Sequence, residues 1–172
     1  MKGFLKKMQT AVDEKLFILT WNLLAPIFVR PNKDDPSDFA FFGHCSEEQL
    51  AWERRKREIE KKIVEMNPDV LLLQEVEMER NVAGKWDVPK WLIDLGFEGW
   101  RVQGFTDAEW EHQFERNLRV LNRGAVTGNA TLWKTSRCRF VSSETTSRTL
   151  VVSLAVGNSV FAVCNVHLEG IR

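Results

Sequence analysis

Tyrosine is absent from this chain, and cysteine is scarce at three residues in 172. Cys45, Cys138 and Cys164 lie far apart, their number is odd, and no zinc-ligand spacing links them. That argues against a disulfide framework and against a structural zinc site. Such usage fits a reducing compartment, so a cytoplasmic location is the expectation. No apolar run is long enough to span a membrane. The start, Met1 to Lys15, scatters Lys2, Lys6 and Lys7 among Phe4, Leu5, Met8 and Val12. It lacks the continuous apolar core of a secretory signal and reads as a tail or a short amphipathic helix. An excess of either charge is missing too, with 24 Lys plus Arg against 24 Asp plus Glu. Net charge therefore argues neither for nor against nucleic acid, because a local basic groove can still bind phosphates.

What is present is ordinary for one globular domain: 172 residues, 44% hydrophobic and 28% charged. Eleven Phe and seven Trp, spread along the chain, read mostly as core. Leu16 to Trp21 is a short run of strand formers. Asn22 to Cys45, with Pro26, Pro31, Pro36 and Gly43, reads as a long loop. Ser46 and Gln49 then form a capping-box pattern, and Trp52, Ile59, Ile63 and Met66 recur at helical spacing up to Asn67-Pro68. The run Asp69 to Glu75 has the continuous apolar character of a strand buried on both faces. A second helix is expected from Asp87 to Gly96, then a strand over Phe97–Val102. Gly104 to Arg123 shows no clear period, and its Arg116, Arg119 and Arg123 read as a solvated face. Strands are expected at Thr131–Lys134, Arg139–Ser142, Thr149–Val156 and Ser159–Val166, with Gly157-Asn158 a two-residue hairpin signal between the last two. Early helices and late strands indicate a layered α/β fold.

Three segments place a polar residue at the end of an apolar strand: Asn22 after FILTW, Glu75 after DVLLLQ, and Asn165 with His167 closing FAVCNVH. Strand ends hold side chains rigidly at the rim of a sheet, and several on neighbouring strands can converge. Magnesium favours oxygen ligands and binds phosphate substrates through one or two carboxylates plus water. Glu75 supplies such a carboxylate, and Asn22 a neutral oxygen beside it. His167 can donate to a phosphoryl oxygen as charge builds there, with Asn165 on the same strand face helping to fix the pocket. Taken singly, each has a plainer meaning: a solvated strand end for Glu75, a turn for Asn22, a surface histidine for His167. His44 and His112 stay in that plainer class.

TWNLLA (Thr20 to Ala25), LAWERRKREI (Leu50 to Ile59), PDVLLLQEV (Pro68 to Val76), GNATLWK (Gly128 to Lys134) and NVHL (Asn165 to Leu168) occur in this order. Together they resemble the endonuclease/exonuclease/phosphatase superfamily, and in particular its branch of carbon catabolite repressor type deadenylases, nocturnin and the Angel proteins. The resemblance runs from about Phe17 to Leu168. It implies a DNase I-like α/β sandwich, with a tail over 1–15 and the N-terminal part of the domain over 16–172. It implies Glu75 and Asn22 as magnesium (or manganese) ligands, Asn165 and His167 as contacts to the scissile phosphate, and Asn129 as a substrate contact. The activity implied is hydrolysis of phosphodiester bonds, with RNA or a nucleotide as substrate, most specifically removal of adenylate from an RNA 3′ end. The alternatives are a phosphatase acting on a small phosphorylated molecule and a catalytically silent binding module.

The resemblance also implies motifs that this sequence does not contain: a later Gly-Asp-Phe-Asn type segment and a terminal Asp-His pair. The expectation is therefore a fragment, with one sheet essentially complete and the second largely missing. Weak metal affinity, little turnover and an uncovered inner sheet face would accompany it.

Overall fold

A computed structural model describes residues 15–29 and 42–168. The expected N-terminal tail and the Pro31 and Pro36 part of the long loop lie outside the described residues. The first sheet carries the order β1–β2–β6–β5, built from β1 (Ile18–Asn22), β2 (Val70–Glu77), β5 (Gly99–Val102) and β6 (Thr127–Trp133). β1 runs parallel to β2, and the other pairs are antiparallel. The parallel step is bridged by α1 (Glu47–Leu50) and α2 (Trp52–Met66), as a parallel connection requires a crossover. A small ladder joins β3 (Glu79–Arg80) to β4 (Trp86–Asp87). α3 (Lys90–Ile93) precedes β5, and α4 (Asp107–Leu121) separates β5 from β6. The second sheet is a meander, β7 (Arg139–Thr145), β8 (Thr149–Val156) and β9 (Ser159–Val166). No helix among the described residues is long and apolar enough to cross a membrane.

β2 explains the layering. Its Leu71 and Leu73 enter a core with Ile59, Ile63, Leu92, Phe97 and Trp110, on the helical side. Val70 and Leu72 point the other way, against Leu150, Val152, Leu154 and Val163 of the second sheet. A strand buried on both faces needs apolar residues at every position, which is why its run is continuous. The second sheet contributes three strands, and these cover Val70 and Leu72 on the face of the first sheet that was expected to lie open, while on β1 the same face stays exposed at Ile18 and Thr20. Alternate residues of β8 and β9 are buried against it.

Several elements depart from their expected bounds. The single helix expected after Ser46 is two, because Ala51 is extended (φ −57°, ψ 126°) and breaks it; the Ser46–Gln49 capping box is formed. Met66 is exposed, and α2 ends on Asn67 in the left-handed region. The helix expected over Asp87–Gly96 shrinks to the single turn α3. The unassigned Gly104–Arg123 stretch is mostly α4, capped by Thr106 and Glu109. β6 begins earlier than expected and β7 ends later. The β8–β9 hairpin turns at Gly157, whose φ of +55° suits a residue without a Cβ.

Gly99 lies opposite Trp133 across the β5–β6 pair, and a Cβ on it would collide with the Trp133 indole. That ring is buried and stacked on Phe140 with centroids 5.8 Å apart, so it cannot yield freely. Gly99→Ala should destabilise the fold by about 1–3 kcal/mol, read as a lowered urea midpoint with unchanged slope.

Candidate active site

The tips of three strands meet at Glu75. Asn22, the last residue of β1, donates from Nδ2 to Glu75 Oε1 at 2.8 Å. His167, one residue beyond β9, places Nε2 3.2 Å from the same oxygen. The Ala25 amide donates to Oε2 at 3.3 Å. Asn22 is itself fixed, since its Oδ1 accepts from the Leu24 amide at 2.8 Å in a local turn. The carboxylate remains 14% exposed and the imidazole 34% exposed, so solvent reaches both.

Glu75 reaches this position because β2 bulges there. Leu73 pairs with Ala130 and Val76 with Gly128, so Gln74 and Glu75 stand opposite the single residue Asn129. Glu75 takes φ +53°, a region that L side chains rarely adopt. The helix-side core accordingly steps from Leu73 to Val76 rather than by two residues. Such bulges re-aim a side chain and occur near active sites. Leu24, on the facing turn, also has positive φ, at +52°.

Asn165 and Asn129 lie deeper. Asn165 is 1% exposed, and its Nδ2 donates to the Leu73 and Ala130 carbonyls at 2.9 and 3.0 Å. Its Oδ1 accepts from Gln74 Nε2 at 2.6 Å. Asn129 is equally buried and donates to the Arg148 and Asn165 carbonyls at 3.1 and 3.3 Å. These amides tie β9 to β2 and β6, while the Arg148 carbonyl also accepts from the His167 amide at 3.1 Å. Both asparagines therefore serve the seam between the sheets. Both side chains are buried at this seam, and Asn129 Oδ1 has no hydrogen-bond partner among the described residues.

Two charged groups nearby were not singled out from the sequence. Arg55 on α2 donates from Nη2 to the carbonyls of Leu23 and Leu24 at 2.6 and 2.5 Å. Burial holds it below the usual guanidinium range, opposed by the charge of Glu75. Arg55 shares the face of the buried Ile59 and Ile63 at four-residue spacing, an anomaly visible in the sequence. Glu77, at the end of β2, pairs with Arg123 at 2.5 Å. Burial pushes its carboxyl up, with the Arg123 charge opposing.

Residues 19–168 match the sequence profile of the Endonuclease/Exonuclease/phosphatase family. The chain belongs to this family. Solved structures similar to it include ANGEL2, described as a 2′,3′-cyclic phosphatase, in complex with adenosine-2′,3′-vanadate. That match has 20% identity and a TM-score of 0.56, and covers 90% of this chain and 41% of the other. The human Nocturnin catalytic domain with bound sulfate is likewise 20% identical with a TM-score of 0.57, over 91% of this chain and 50% of that one. The chain thus spans half or less of the length of these structures, which share its fold. No curated protein sequence matches it.

Enzymes of this family are generally dependent on a divalent metal. The oxygen donor set gathered here is the Glu75 carboxylate; Asn22 turns its Nδ2 to that carboxylate and its Oδ1 to the Leu24 amide, so it steadies Glu75 and offers no free oxygen beside it. Among the described residues no three His, Cys, Asp or Glu side chains cluster to hold a metal. The set fits an ion that keeps waters and substrate oxygens in its shell, which is the habit of magnesium, and does not fit a closed zinc site.

Backbone strain at Glu75 has a measurable consequence. Glu75→Gly should be more stable than Glu75→Ala by about 1 kcal/mol, compared by urea unfolding. Equal midpoints would show that the bulge relaxes. Glu77 gives a pH test. Its folded value is raised, so its contribution to stability is complete below the unfolded carboxyl value and is lost as pH rises through the folded value. Glu77→Gln should therefore lose less stability than the wild type over that rise, followed by thermal melts across a pH series.

Proposed function

We propose that Glu75, with Asn22 beside it, holds a magnesium ion in a phosphodiester hydrolase, and that His167 binds the scissile phosphate. The observation that carries this is the meeting of the β1, β2 and β9 tips on one partly exposed carboxylate. When bound, the ion supplies Lewis-acid polarisation of a phosphoryl oxygen and charge neutralisation. Glu75 has its carboxylate held in place by the Asn22 and Ala25 donors. His167 presents Nε2 at the same point, where it can donate to a phosphoryl oxygen gaining negative charge. Asn165 and Asn129 position His167 by pinning β9.

The substrate we favour is the adenylated 3′ end of RNA, in keeping with the sequence resemblance to the deadenylase branch. The partner is then RNA, and the site of action is expected to be cytoplasmic. Calorimetric titration with magnesium should give weak, saturable binding for the wild type and none for Glu75→Gln. Release of adenylate from an oligo(A)-ended RNA should be slow, magnesium-stimulated and lost in the same variant. Hydrolysis of small phosphorylated compounds with RNA untouched would shift the assignment to a phosphatase. Wild-type metal binding by Glu75→Ala would leave only a binding role.

A further inference from the structure

Arg55 makes contacts that a helix-surface arginine does not need. Its Nη2 bonds two successive carbonyls, Leu23 and Leu24, on the turn that leaves β1. That turn is the one whose Leu24 amide fixes Asn22 and whose Ala25 amide reaches Glu75. The turn needs an outside hold, because Leu24 sits at φ +52° without being a glycine. Arg55 Nη1 is buried and has no hydrogen-bond partner among the described residues. A position serving only the core would not keep an unpaired charged donor beside Ile59 and Ile63, since an apolar residue there would avoid that penalty. Trp52 lies 5.6 Å from the guanidinium and steadies it from the preceding turn of α2.

We infer that Arg55 is the positioning residue of this site: its guanidinium locks the Leu23–Leu24 turn and thereby sets the Asn22 and Ala25 donors on Glu75. It acts through the backbone and touches neither ion nor substrate. Both bonds come from one nitrogen, so a lysine ammonium can replace part of this hold while losing the guanidinium's contact with Trp52. This assignment rests, for its effect on the metal, on the reading of Glu75 as a ligand; its effect on the turn does not.

The test uses the whole chain with Arg55→Met, which keeps apolar bulk, and Arg55→Lys, which keeps charge. Amide hydrogen exchange at Leu24 and Ala25, measured without metal, should accelerate in Arg55→Met while exchange in β2 and β6 stays at the wild-type rate. Binding of Mn2+, followed by its electron paramagnetic resonance signal, should weaken about ten- to hundred-fold, as for other supports of metal ligands. Arg55→Lys should recover part of both. Unchanged exchange at Leu24 and Ala25 overturns the assignment whatever the metal result, and so does Mn2+ affinity equal to wild type. A wild-type chain that binds no Mn2+ sinks the reading of Glu75 as a ligand, and the exchange comparison then decides on Arg55 alone.

Discussion

Everything where the three strand tips meet depends on one backbone constraint, the left-handed turn at Glu75 inside an otherwise regular strand. Without the bulge, strict alternation would send the side chain at position 75 into the helix-side core with Leu71 and Leu73, where an unpaired carboxylate is untenable. The kink instead delivers it to the rim, facing Asn22 and His167. The strain is tolerated because the residues on either side are anchored: Leu73 and Val76 by the core, Gln74 by Asn165. Core packing and hydrogen bonding thus stabilise a conformation that local preference disfavours, a pattern found where sites are built.

The two sheets cooperate in the same way. Apolar contact between Val70, Leu72, Leu150, Val152 and Leu154 brings them together but is non-directional. The buried carboxamides of Asn165, Asn129 and Gln74 add direction, since each donor has a defined carbonyl to meet. Sliding β9 along β2 by one residue would bury unpaired amides and turn His167 away from Glu75. The polar seam therefore specifies the register that the greasy seam only permits.

Much of this was legible in the residues. The uninterrupted VLLL run announced β2, the Gly157-Asn158 pair announced the last hairpin, and the strand-end pattern pointed to Asn22, Glu75 and His167. Helix α4 was missed although Thr106 and Glu109 spell its cap, because only Trp110 is fully buried and the apolar period is faint. The bulge was invisible, since no glycine marks the left-handed position. Depth was invisible too: Asn165 and His167 do share a strand face, but periodicity cannot tell that one lies beneath the rim and the other on it. Arg55 left a trace as a charge on the apolar face of α2, which only tertiary contacts explain.

β1 pairs with β2 and with no other strand among the described residues, and every one of its positions is at least partly exposed. A ribbon fastened along one side peels before its neighbours do. The three-strand meeting point is thus assembled from members of unequal permanence: Glu75 sits on an interior strand, whereas Asn22 rides on an edge. Fraying of that border would part Asn22 from Glu75 while the sandwich stays intact, so loss of this grouping and loss of fold are separable events in this chain.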